Sequence, residues 1–433
     1  MSTADRLELS RLIHRFGFGP KPGEYAALLA GGITNARQSV LNPPAIDAGA
    51  ASVTPPTLTD LGDYPPQKSA ALADFQKARQ GQILATQLWW LDRMAKTDHA
   101  LQERMTWFWH GHWATAVGKV QYALPMYNQN HVLRNTALGN FKDQARAMIV
   151  DSAMLFWLDG NSNTAKSPNE NLAREFMELF TLGVGSYTET DIQAIAKGLT
   201  GYRTVRSAGT VTFNEKQHYA QPISFLGTTG TFDALGVSDY ITSLPANAQY
   251  IPHRMWYRFI SSTAPLLDQS VYSAFTNRDI HTLVLALGSS SAMRNPTYSQ
   301  VKSPVEWFVS VCRALAITPS ALPINSNVVR YLATMGQEPL NPPNVGGWPA
   351  DEAWINISSA QTRLAFSQYL LPQAKFDSLT AVAPGDARIN ALADLLGVAQ
   401  FSERTKSVLR TALSDPKQMV LIAINSPDYV VNA

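Results

Sequence analysis

Cysteine is all but missing from this 433-residue chain: Cys312 stands alone. One thiol excludes an intrachain disulfide and any zinc or iron–sulfur centre built on several thiolates. Charge is scarce as well, at 16% Asp, Glu, Lys and Arg, where an average domain carries about 25%. The 35 basic residues nearly balance the 33 acidic ones, for a net charge of +2. There is thus no electrostatic footprint for nucleic acid or an anionic membrane. No apolar run approaches the roughly 18 residues of a membrane span, so none is expected. The opening MSTADRLELSRLIHRFG interleaves charges with leucines and lacks the apolar stretch of a secretion signal. These features fit a cytoplasmic protein, and an exported protein trimmed of its signal would read the same way. GxSxG, HExxH, Walker A and EF-hand signatures are missing too. FGFGPKPG has the wrong spacing for a dinucleotide fingerprint and follows a helical pattern rather than a strand.

Helical periodicity is what is present. Apolar residues make up 45% of the chain, enough to bury an ordinary core. The spacing predicts N-terminal helices over 4–16 and 22–31, within a unit at 1–42. Three Pro-Pro pairs then mark a linker or long surface loop at 43–66. A main helical domain at 67–433 begins with one long amphipathic helix over 69–96. Helical patterns continue over 98–112, 121–138, 140–158, 168–183 and 188–200. At Tyr202 the 3.6-residue period stops, and β-branched residues and glycines predict an extended insertion at 203–235 with a small β-hairpin near 203–227. Helices resume near 236, and Asp415-Pro416 is a good cap and first turn for the last. The fold class is therefore all-α with a small hairpin excursion.

Three stretches carry candidate chemistry. In PNENLAREFMELFTLGVGSYTETD (Pro168–Asp191), Glu170, Arg174 and Glu178 fall at i, i+4 and i+8, with Asn171 and Glu175 beside them. This is either a solvated helix face laced with ion pairs or a covered site. In a covered site, crowded carboxylates raise one another's pKa and Arg174 keeps one of them charged. In TWFWHGHWAT, His110 and His112 sit among Trp109, Trp113 and other aromatics. Residues two apart on a helix point about 200° away from each other, so the two could share a metal only if the helix ended near Gly111. Packed core histidines are the alternative. In GQEPLNPPNVGGWPADEAW, prolines and glycines forbid regular structure, and Trp348 and Trp354 offer either stacking platforms for a ligand or anchors to the core.

Several segments, in order, resemble the bacterial domain of unknown function 1800 family: RLIHRFGFGPKPGE, FWHGHW, NENLAREFMELFTLGVGSYTETD, LTGYR, KSPVEWFVSVCRAL and MGQEPLNPPNVGGWP. The resemblance implies a mostly helical fold and no defined activity. It also implies a partner resembling sulfatases and phosphatases, encoded nearby, and favours a covered position for the Glu170/Arg174/Glu178 face. Members often carry Asp-x-Gly-x-Lys after the histidine of the extended region. Here His218 is followed by Tyr219, Gln221 and Ile223 instead, so no role can rest on that aspartate or lysine.

These readings lead to an enzyme of hydrolase type using carboxylate and histidine acid–base chemistry on a polar or glycan-like substrate. Glu170, Arg174, Glu175, Glu178, His110 and His112 are its catalytic candidates. Trp109, Trp113, Asn169, Asn171, His218, Trp348 and Trp354 are its binding candidates. The alternatives are a non-catalytic binding or assembly protein with a buried Glu–Arg network, and a His/Glu metal enzyme. No cofactor is predicted, with a metal left open. If the two histidines and the glutamates share one site, a histidine–carboxylate contact and a raised imidazole pKa are expected.

Overall fold

The computed structural model describes residues 2–432. Ser2 and Asp5 form a reciprocal cap that starts α1 (Thr3–Arg15). The long amphipathic helix is present as α2 (Leu72–Lys96), followed by α3 (Leu101–His112). Between α1 and α2, Asp47 caps a single helical turn and also accepts hydrogen bonds from the Asp98 and His99 amides at 2.9 and 2.6 Å. The expected helix over 140–158 is instead two, α4 (Phe141–Ile149) and α5 (Ser152–Trp157). Asp151 causes the break, because its side chain caps the second helix through the Met154 amide.

The carboxylate-rich stretch begins as α6 (Glu170–Glu175), capped by Asn169, and widens into a π-helical turn over Phe176–Thr181. α7 (Glu189–Gly198) follows. The expected excursion after Tyr202 is present as two hairpins. β1 (Tyr202–Val205) pairs with β2 (Thr210–Phe213), and β3 (Ile223–Phe225) pairs with β4 (Thr228–Gly230). Helices resume at Ala234 and include α8 (Pro245–Phe259). A third antiparallel pair, not expected from the sequence, joins β5 (Gln300–Val301), just before α9 (Pro304–Ala314), to β6 (Val431–Asn432) near the C-terminus. Pro416 opens a helix as expected, but a short turn at Pro427–Val430 follows it.

Two large hydrophobic clusters form the core. One gathers α2, α9 and the C-terminal helices, and the other α4, the π-helical turn, α7 and α8. α3 belongs to both: Trp107 packs into the first, and Phe108 and Trp109 into the second, joined there by Trp113 just past the helix end. No described helix is long and apolar enough to cross a membrane.

Candidate functional site

A cleft opens where α3 leaves the seam between the two clusters. Its walls are the end of α3 (Trp107, Phe108, Gly111, His112), one face of α8 (Arg254, Tyr257, Arg258), the β5–α9 junction (Gln300, Ser303, Glu306) and the loop over 336–354 (Gln337, Trp348, Asp351, Trp354). Its interior is narrow, with about 50 Å3 open to a water-sized molecule. Through Arg254, Tyr257, Arg258, Ser262 and Trp348 it continues into a wider open groove of about 520 Å3.

The loop reaches this position by close backbone approach. Gly347 has φ +82°, and a Cβ there would lie 2.2 Å from the Gly111 carbonyl oxygen; only glycine fits. Trp348 then stacks on Trp107 with ring centroids 4.9 Å apart. The backbone amide of Val117 donates to the Leu340 carbonyl at 2.8 Å, and Gln87 donates to Pro339 O at 2.9 Å, fixing the loop's other arm.

The cleft has three guanidinium groups against two carboxylates. Glu306 is committed to Arg104 at 2.5 Å and to the Ser303 amide at 2.9 Å. Asp351 accepts from the Val301 amide at 2.8 Å and from the Ser262 hydroxyl. Arg258 donates to the Trp348 and Pro349 carbonyls, and burial, then the Arg254 charge, brings its pKa down to about 10. Arg254 is different. Among the described residues its guanidinium has no hydrogen-bond or ion-pair partner, and its Nε is shut off from solvent.

The histidines diverge. α3 runs through Gly111 to His112 without a break, so the ring directions stay about 200° apart. His110 packs against Trp90, Trp107 and Trp348, and among the described residues its Nε2 has no hydrogen-bond partner. His112 Nε2 donates to the Phe180 carbonyl at 2.9 Å. Burial lowers both imidazoles to about 3, with the Arg254 charge adding to the effect at His112. This corrects the expectation of a raised histidine pKa. The FWHGHW and NENLAREFMELF stretches do meet, through His112 and Phe180 and through Trp113 packed on Phe176 and Phe180. They meet on the apolar side of the carboxylate-bearing helix, and no carboxylate figures among the charges either imidazole feels.

The tryptophans are packed. Trp109 donates to the Ala137 carbonyl at 3.0 Å and Trp113 to Gln144 Oε1 at 3.0 Å; both are fully buried, leaving no ring face for a ligand. Trp348 and Trp354 line the cleft but are themselves buried, so they anchor the loop.

The glutamate face is half-buried. Arg174 pairs with Glu170 at 3.3 Å and, through both amino groups, with Glu189 at 2.6 and 3.0 Å. Glu178 accepts from the Tyr187 hydroxyl at 2.5 Å. Burial, then the Glu178 charge, raises the Glu175 pKa. Among the described residues Arg174 makes no ion pair with Glu178, whose partner is the Tyr187 hydroxyl instead, so the Glu170, Arg174 and Glu178 side chains do not form one continuous ion-pair row. Asn169 caps α6, and exposed Asn171 donates to Asp159 at 3.2 Å. His218 Nδ1 is 3.0 Å from the Thr200 carbonyl, pinning the turn before β1. Glu175, Glu178 and His218 do not line the cleft. Among the described residues, no group of three or more His, Cys, Asp or Glu is placed to hold a metal ion.

Of the residues singled out in the sequence, His112, Trp348 and Trp354 line the cleft; Arg254, Arg258, Glu306 and Asp351 line it too and were not among those candidates. For the arginines a signal existed. Arg254 and Arg258 are like charges at i, i+4, with no acidic residue three or four positions from either, an arrangement that destabilises a helix unless something else uses it.

The chain belongs to the family described as "Protein of unknown function (DUF1800)", which it matches over residues 11–431. Neither the curated proteins nor the solved structures yield a match to it.

Proposed function

We propose that the protein binds a polar substrate in the cleft at the end of α3, with the adjoining groove taking up the rest of a larger or polymeric molecule. The observation that supports this is the lining. Charged, amide and hydroxyl side chains from four segments, spanning residues 104–354, surround a cavity that opens into an elongated groove. A cavity with a few convergent polar groups is the usual form of a small-molecule site. A thermal-denaturation screen tests the proposal, using neutral oligosaccharides, uronate oligosaccharides, nucleoside phosphates and organic acids. A binding ligand should raise the Tm of the native protein by several degrees and leave Ala350→Trp, which plugs the cleft, unmoved. Gln300→Trp serves as a second plug should the first melt early. Ligands that stabilise native and plugged proteins equally would refute the assignment.

A second reading is carboxylate acid–base chemistry of hydrolase type, favoured by the Glu175–Glu178 pair and the short Tyr187–Glu178 bond. A carboxyl held protonated beside an ionised one is how such sites divide the acid and base roles. NMR titration of the Glu175 carboxyl tests it. A midpoint in the ordinary glutamate range would sink it.

A further inference from the structure

Arginine in this protein is mostly a backbone clamp. Arg278 closes on the carbonyls of Thr242 and Leu244, Arg313 on those of Gly19 and Thr97, and Arg388 on those of Val382 and Leu413. In the cleft, Arg258 follows the same habit and Arg104 takes Glu306. Arg254 departs from the pattern. It extends from α8 into a cavity whose two carboxylates are already bonded to other groups. Its Nε is removed from water, and none of the described residues takes that water's place. Burying a polar donor without a partner costs on the scale of a lost hydrogen bond, and more when the group is charged. Its neighbours add to the imbalance: Arg258 and Arg104 lie in the same lining, and neutral His112 offers no negative charge.

Resting on the cleft being the substrate site, we propose that Arg254 receives an oxyanionic group of the substrate, a phosphate, sulfate or carboxylate. The planar guanidinium is suited to such groups because it donates two parallel N–H bonds to a pair of oxygens. Tyr257 and Ser262 line both the cleft and the groove, so the rest of the substrate extends past them along the groove. A neutral analogue should therefore bind the same cleft more weakly.

Calorimetric titration with inorganic phosphate, sulfate and acetate, at ionic strength matched with sodium chloride, tests the proposal. The native protein should bind at least one of them saturably. Arg254→Gln should weaken that anion at least tenfold, and Arg254→Lys, which keeps the charge but loses the fork, by less. Phosphate and sulfate binding without acetate assigns a tetrahedral group, and the reverse assigns a carboxylate. Unchanged affinity in Arg254→Gln, or no saturable anion binding by native protein, overturns the proposal. Should the Gln variant unfold early, the Lys variant decides: it must bind the same anion more weakly than the native protein, and equal affinity overturns the proposal. Loss of anion binding in Ala350→Trp places the anion in the cleft. If a neutral oligosaccharide stabilises native but not plugged protein while no anion binds, the Arg254 proposal falls and the cleft assignment stands.

Discussion

Glu175 and Glu178 lie three residues apart, across the point where α6 becomes a π-helical turn. Glu175 is raised first by burial and second by the Glu178 charge. Glu178→Gln removes the second cause and keeps the first, so Glu175 should titrate lower than in the native protein and still above a free glutamate. The linked stability has a definite sign. A carboxyl whose pKa is raised on folding favours the fold at pH below its unfolded value, and that contribution fades as pH rises through the folded value. Glu175→Gln should therefore flatten the fall in stability with rising pH in the mildly acidic range. Equilibrium unfolding across that range and carboxyl NMR check both effects; a Glu175 midpoint indifferent to Glu178→Gln contradicts the pairing. The crowding of carboxylates in this stretch is legible in the sequence. Their partners are not, because Tyr187 and Glu189 reach back from beyond a turn whose geometry a helical wheel does not encode.

At the scale of elements, the helices were largely legible because apolar periodicity and capping residues agree. Ser2/Asp5, Thr188/Asp191 and Ser303/Glu306 all form the reciprocal caps their spacing permits. The course of the loop over 336–354 was not legible, since its shape is set by a distant contact with α3. That contact gives a paired prediction. Gly347→Ala would put a methyl 2.2 Å from the Gly111 carbonyl at φ +82°, so it should cost about 1–3 kcal/mol or more. Gly111→Ala meets only a Trp348 ring carbon at 3.8 Å, and in a helix Ala is favoured over Gly by about 0.5–1 kcal/mol. It should therefore be neutral or stabilising. Urea unfolding of both variants is the check. Equal destabilisation would mean the loop does not lie against α3 as described.

The whole molecule places its cleft where two hydrophobic clusters share one helix, a seam that no local sequence pattern reveals. The scarcity of charge noted at the outset has a structural counterpart. Several arginines are spent on carbonyls inside the fold, and charges that are not so used are correspondingly few. Much of the cleft's lining belonged to motifs visible in the sequence, from TWFWHGHWAT, KSPVEWFVSVCRAL and GQEPLNPPNVGGWPADEAW. Its arginines did not, because their meaning depends on partners they lack, and absent partners can be recognised only in three dimensions.

The most direct test uses the Trp348 indole. Trp348 lines the cleft wall, and its buried Nε1–H has no acceptor among the described residues, so an arriving ligand should change the indole's surroundings. Indole 15N–1H spectra should be recorded during titration with inorganic phosphate and, separately, with a neutral oligosaccharide; Trp348→Phe assigns the resonance. The account predicts a saturable shift of the Trp348 signal with at least one of these probes, with Trp109 and Trp113, buried in the second cluster, unmoved. A Trp348 resonance that stays still while other tryptophans respond would place the ligand elsewhere and contradict the assignment of the cleft.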